Sequence, residues 1–199
     1  MVPLTHRKNQ KIFVLGLGLS GNSAIRALEK GGSIVSAWDD DDLVRNNYIA
    51  NGRNLINPTD VSIEDFSALI LSPGIDIKKS PQRDFIYEAR KKKIPIICDI
   101  QLFMDEVSHR GRGNKIIMLT GTNGKSTTAM MIYHILKKLG RKVQIGGNIG
   151  TRGVLDFDLS DEAFTFIIEL SSYQIELSPN IKPDIAILLN ISPDHLDLH

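Results

Sequence analysis

Compact apolar runs of strand length alternate along the chain with segments whose apolar residues recur at helical spacing. Residues 12–15, 34–38, 68–71 and 94–98 are short and mostly aliphatic, as buried strands are. Between the first two, Ala24, Ile25, Ala27 and Leu28 follow a helical period that stops at Gly31-Gly32. Ser80-Pro81 is expected to open a further helix, with serine as N-cap and proline at the first helical position. That helix runs to Arg90-Lys91-Lys92-Lys93, a basic cluster suited to a solvated helix C-terminus. Residues 39–65 are polar and Asn-rich, which reads as loop and short helix. Strand, helix and strand in repetition predict a parallel sheet.

Around Ser108-His109-Arg110-Gly111-Arg112-Gly113-Asn114 the composition turns polar and glycine-rich, the mark of a linker or domain boundary. The expected division is 1–104 and 105–199. In the second part, Ile116, Ile117 and Leu119 read as a buried strand and 129–139 as a helix. Further strands are expected at 143–145, 164–168 and 185–191. Each part is expected to be α/β, built on a parallel sheet.

The 199 residues suffice for one large or two small domains, with ordinary hydrophobic (42%) and charged (24%) fractions. A formal charge of +1 gives no electrostatic reason to expect nucleic acid or an anionic membrane as partner. Arg7, Lys8 and Lys11 before an apolar run resemble a secretion signal. Glycines interrupt the run, no small-x-small cleavage site follows, and a signal peptide is rejected. No uninterrupted apolar stretch approaches the roughly 18 residues of a membrane span. Cys98 is the only cysteine, which excludes an intrachain disulfide; beside Ile96 and Ile97 it reads as a buried structural thiol.

Candidate chemistry gathers at strand ends. Gly121-Thr122-Asn123-Gly124-Lys125-Ser126-Thr127 lies between a strand and a helix and reads as a triphosphate cradle. Backbone N–H groups and a helix N-terminus face the anion, Lys125 adds a point charge, and Ser126 suits Mg²⁺. Leu119 stands where the Walker pattern wants a glycine. Gly16-Leu17-Gly18-Leu19-Ser20-Gly21 follows the first strand, and Asp39 lies 18 residues beyond Gly21. This is the dinucleotide fingerprint, which specifies a diphosphate at a helix N-terminus with an acidic group for a ribose. A glycine turn that merely packs helix on strand remains the alternative. Ser72-Pro73-Gly74 ends the 68–71 strand, on the sheet edge where ligands sit in such folds. Glu169 closes a buried strand, where folds of this kind hold Mg²⁺, and His195 is expected at the same edge.

Taken together, these motifs resemble the Mur ligases, and among them the members that add D-glutamate. The matching pieces are the Gly16–Gly21 turn, Ser72-Pro-Gly-Ile75, the 121–127 cradle, Gly147-Asn-Ile-Gly150, Glu169-Leu-Ser-Ser-Tyr-Gln174 and Asp194-His-Leu-Asp197. The resemblance implies an ATP-dependent, bacterial, cytoplasmic ligase of peptidoglycan synthesis joining D-glutamate to UDP-N-acetylmuramoyl-L-alanine. It also implies a Rossmann-like N-terminal parallel-sheet domain that holds UDP rather than NAD, followed by a truncated P-loop ATPase-like α/β central domain. Carried over, Lys125 holds the β- and γ-phosphates, Ser126 and Glu169 bind one Mg²⁺, and His195 serves a second. Gly18, Leu19, Ser20, Asp39, Ser72 and Gly74 hold the uridine diphosphate, while Asn148 and Ser171 contact the muramoyl-alanine end. Asp40-Asp41-Asp42 beside the uridine site leaves the uridine contacts open. The family continues beyond His199, so the resemblance implies an N-terminal portion of a longer enzyme whose central sheet exposes an edge. Rival readings are another ligase of the superfamily, an NAD-dependent oxidoreductase with a phosphate-loop module, and a non-catalytic nucleotide-binding fragment.

Overall fold

The computed structural model describes residues 1–193 except 112, 151, 160 and 161. Among the described residues there are two four-stranded, wholly parallel sheets. The first contains β1 (Lys11–Leu15), β2 (Ile34–Trp38), β3 (Ala68–Leu71) and β4 (Ile96–Ile97), in the order β2-β1-β3-β4. Its helices are α1 (Leu19–Gly31), α2 (Asp42–Ala50) and α3 (Arg83–Lys91). The β1 and β3 runs are buried on both faces, which explains why they are continuous rather than alternating.

Helix α4 (Asp99–Arg110) leads to the second sheet: β5 (Lys115–Thr120), β6 (Val143–Gly147), β7 (Thr165–Glu169) and β8 (Ile185–Leu188), in the order β6-β7-β5-β8. Helix α5 (Lys125–Lys138) follows β5, and the short α6 (Ser172–Glu176) follows β7. No described helix is long and apolar enough to cross a membrane. The outer strand β8 is largely exposed, with Ile185 and Leu188 more than half accessible.

Local chemistry moved several boundaries. The helix expected at Ser80-Pro81 begins at Arg83, because Ser80 first closes a turn, its Oγ accepting from Gln82 N at 3.0 Å. The strand expected over 94–98 shrinks to Ile96–Ile97, following a left-handed Lys93 (φ 59°) that ends α3. The helix after the cradle starts at Lys125, earlier than the apolar period from Ala129.

The 104/105 division falls inside α4, whose residues 99–104, 106 and 107 are buried. Ile100, Leu102, Phe103, Met104 and Val107 join one hydrophobic core with residues of both sheets. Phe103 meets Phe157 and Phe166 edge-on at 5.5 and 5.1 Å between ring centroids, seating α4 on the second sheet. Cys98, just before it, donates N–H to Leu177 O at 3.0 Å, and its Sγ lies 3.2 Å from Ser178 Oγ. Burial, and then the neighbouring Asp99 carboxylate, push this thiol up to about 12.

The N-terminal segment closes the same seam. Val2 N donates to Leu155 O at 2.7 Å and Leu4 N to Ala27 O at 3.0 Å. Glu106 of α4 is fully buried and accepts from Thr5 Oγ1 (2.8 Å), His6 N (3.2 Å) and Arg110 Nε (2.7 Å), with His6 Nδ1 at 2.6 Å. Burial alone would raise its pKa, but the His6, Arg110 and Thr5 hydrogen bonds outweigh it and hold the carboxyl at about 2. A depressed pKa stabilises the fold above the carboxylate's ordinary 4.5, and the contribution is lost as pH falls through about 2. Glu106→Gln should therefore cost on the order of 2 kcal/mol at pH 7. It should also flatten the stability profile below that ordinary value. Urea unfolding measured across acid pH checks this, and parallel profiles for both proteins would refute it.

Candidate functional site

The cradle is built where β5 hands over to α5. Gly121 (φ +147°) and Gly124 (φ +82°) take backbone conformations that side chains disfavour, turning the chain from strand end to helix start within one loop. Leu119 accounts for its own departure from the Walker pattern. It is still in the ladder, paired with Glu169 and Ile187, and is buried, so the turn begins after it and needs no glycine there. Gly124 offers α5 no side-chain cap and the first turn carries no acidic residue, which leaves its N–H groups for an anion. Lys125 Nζ folds back to Gly121 O at 2.6 Å and Thr122 O at 3.0 Å. Thr127 is exposed on the first turn.

Glu169 stands at the end of β7, between Leu119 and Gly147, and is 1% exposed. Its Oε2 accepts the Ser126 hydroxyl at 2.7 Å and its Oε1 accepts Asn148 Nδ2 at 3.1 Å. A hydroxyl and a carboxylate in contact are hard oxygen donors, a set that fits Mg²⁺. Asn148 is aimed by its own backbone, since Asn148 N donates to Glu169 O at 2.8 Å. Ser171 caps α6 in a reciprocal box with Gln174: its Oγ accepts Gln174 N at 3.3 Å, and its N donates to Gln174 Oε1 at 3.0 Å. A cavity of about 590 Å³ opens between the sheets, with Gly74 of the first facing Gly121, Lys125, Asn148 and Ser171 of the second. His195 lies outside the described residues.

On the first sheet, Gly16 turns with φ +93° and its carbonyl accepts Ser72 Oγ at 2.9 Å, joining the glycine turn to the loop that reaches the cavity. Gly18 precedes α1 without a side-chain cap, and Leu19 and Ser20 form the helix's open first turn. Asp39 Oδ2 accepts Leu17 N at 2.6 Å and Oδ1 accepts Asp41 N at 2.9 Å. The rest of the acidic run is also employed. Asp40 accepts Ser80 Oγ at 3.0 Å, Asp41 caps α2 through Leu43 N at 2.8 Å, and Asp42 pairs with Arg45. Arg45 in turn lies over the Trp38 ring at 4.6 Å. Asp99 is buried behind this turn; burial raises its pKa, opposed by hydrogen bonds from Ser20 and Ile100 N.

Residues 119–199 match the Mur ligase middle domain. Over the whole chain, 39% of residues are identical to a UDP-N-acetylmuramoylalanine–D-glutamate ligase of Caulobacter sp. (strain K31), covering 43% of that protein. Over 98% of the chain, 44% are identical to the ligase of the same name in Wolbachia pipientis wMel, covering 37% of it. Along its whole length the chain is similar to these ligases, and the middle-domain match covers its second part. The chain spans about two fifths of the length of these curated relatives. Two solved Mur ligases share its fold at 20% identity. They are the UDP-N-acetylmuramate:L-alanyl-γ-D-glutamyl-meso-diaminopimelate ligase of Neisseria meningitides (TM-score 0.57, 96% of this chain, 63% of that one) and the UDP-N-acetylmuramate–alanine ligase of Thermotoga maritima (0.51, 95% and 43%).

In the chain, Lys125, Ser126, Asn148 and Glu169 come together at one edge of the second sheet. Gly74 and Ser171 border the same cavity. Gly18, Leu19, Ser20 and Asp39 belong to the turn one step away, through Ser72. The sequence pattern does not single out Asp99 or the Asp40–Ser80 bond, and Asn190, which hydrogen-bonds the backbone of Asn123, lies inside the strand expected over 185–191. The turn itself leaves no room for growth, since a Cβ on Gly21 would stand 1.8 Å from Gly16 O. Gly21→Ala is expected to cost about 2–3 kcal/mol or more, read as a lowered thermal midpoint by circular dichroism. An unchanged midpoint would show that the turn has slack.

Proposed function

We propose that this chain forms the part of a D-glutamate-adding Mur ligase that binds UDP-N-acetylmuramoyl-L-alanine and Mg²⁺-ATP. The observation that carries the reading is one buried carboxylate shared by two loops. Glu169 takes Ser126 of the nucleotide cradle on one oxygen and Asn148 of the Gly147–Gly150 loop on the other, beside a cavity that reaches Gly74.

In this reading Gly121–Thr127 and the start of α5 hold ATP, and Lys125 leaves its two carbonyls to neutralise the β- and γ-phosphates. Ser126 and Glu169 hold Mg²⁺, which when bound offsets charge on the phosphoryl oxygens; His195 is proposed for a second ion. The uridine diphosphate lies along Gly18, Leu19, Ser20, Asp39, Ser72 and Gly74, and Asn148 and Ser171 orient the muramoyl-alanine end. The γ-phosphoryl group passes to an oxygen of the L-alanine carboxylate and ADP departs. The D-glutamate amine then attacks the acyl phosphate, loses a proton, and phosphate leaves as the amide forms. The chain's contribution is positioning and charge neutralisation between two anionic reactants. The cytoplasm, where ATP and UDP-sugars are present, is the proposed location.

Titration calorimetry of the chain with UDP-N-acetylmuramoyl-L-alanine and with NADH tests the first domain: the UDP-sugar should bind and NADH should not. NADH binding more tightly would overturn the reading. In a protein of the relatives' full length, Lys125→Ala should lower turnover by roughly 10²–10³-fold, about 3–4 kcal/mol, with UDP-sugar affinity unchanged. Turnover above about a tenth of wild type, where each tenfold is about 1.4 kcal/mol, would remove Lys125 from the assigned role.

A further inference from the structure

The cradle is fastened from outside. Leu189 N donates to Thr120 O at 3.0 Å and Thr122 N to Asn190 O at 3.1 Å, so the β5–β8 pairing continues past both strand ends. Beyond that point a side chain replaces the ladder. Asn123 N donates to Asn190 Oδ1 at 2.9 Å, and Asn190 Nδ2 donates to Asn123 O at 2.9 Å. A second reciprocal pair lies alongside: Ser192 N donates to Thr122 Oγ1 at 3.0 Å, and that hydroxyl donates to Ser192 O at 3.1 Å.

We propose that Asn190 is the positioning residue of the nucleotide loop. By engaging both backbone groups of Asn123, it leaves phosphate recognition to the N–H groups from Gly124 to Thr127. The inference rests on reading the loop as an ATP cradle. Its physical basis is that a loop turning at two glycines has wide backbone freedom and needs an external hold to keep one shape. Only a carboxamide both accepts from an N–H and donates to a C=O with the spacing of a peptide group. Gly121 fits the same clamp, since a Cβ there would stand 3.1 Å from Asn190 O. Because the N–H groups of Thr122 and Asn123 are already satisfied, they are not available to the triphosphate. A loop held in shape before the ligand arrives gives up less entropy on binding.

Amide hydrogen exchange of the unliganded chain, resolved by NMR, tests the clamp directly. Asn190→Ala should speed exchange at Asn123 by roughly tenfold or more, with Met118 and Leu119 in β5 still protected. Asn190→Asp keeps an acceptor oxygen but loses the donor, and should retain protection at Asn123. In a protein of the relatives' length, both variants should raise KM for ATP by roughly tenfold, about 1.4 kcal/mol. KM for the UDP-sugar should stay at its wild-type value, and kcat should change less than KM for ATP. Unchanged exchange in Asn190→Ala overturns the proposal. Uniform acceleration through β5, β7 and β8 also overturns it, as the mark of a merely structural side chain, and so does a joint rise of both KM values. The exchange measurement needs no nucleotide, so its outcome is separable from the assignment of ATP as ligand.

Discussion

The relation between the two sheets depends on one helix, α4, buried over most of its length. Buried polar side chains must find partners, and those of α4 do so by bonding outward in three directions. Asp99 takes the Ser20 hydroxyl of the first sheet's glycine turn. Gln101 accepts from Asn180 N at 2.9 Å, beyond α6 of the second sheet. Glu106 gathers the N-terminal segment. With Phe103 seated on Phe166, these bonds fix how Gly74 faces the cradle, so the cavity's shape follows from packing some distance behind it.

The chemistry, in contrast, is concentrated where parallel strands end. β5, β6 and β7 deliver Gly121, Asn148 and Glu169 to one edge because their register places Leu119, Gly147 and Glu169 side by side. Parallel pairing thus sets the spacing of the candidate site before any side chain takes part. The side chains then link the loops: Ser126 and Asn148 each hydrogen-bond one oxygen of Glu169, which makes the position of each depend on the other.

Much of this was legible in the sequence. Strands buried on both faces announce themselves as unbroken aliphatic runs, and cradle residues are restricted by turn geometry, so β1, β3, β5 and the Gly121–Thr127 loop stood where the pattern put them. Helix α4 did not, because Asp99, Gln101 and Glu106 interrupt its apolar residues and only the folded molecule shows them buried. The run Asp39–Asp42 looked like excess negative charge beside a diphosphate site. Four neighbouring carboxylates with four different partners, a turn amide, a serine, a helix start and an arginine, could not be separated by composition. Long-range satisfaction of polar groups is the information a local period does not carry.

Cys98 sits at the joint of this arrangement, its N–H on Leu177 and its thiol against Ser178, with the first sheet on one side and the second on the other. A thiol held near 12 forms almost no thiolate at neutral pH, and burial bars reagents from it. Alkylation can proceed only when the joint parts. The single cysteine of these 199 residues is therefore a clock for that event: its labelling rate in the folded chain times how often the two sheets separate.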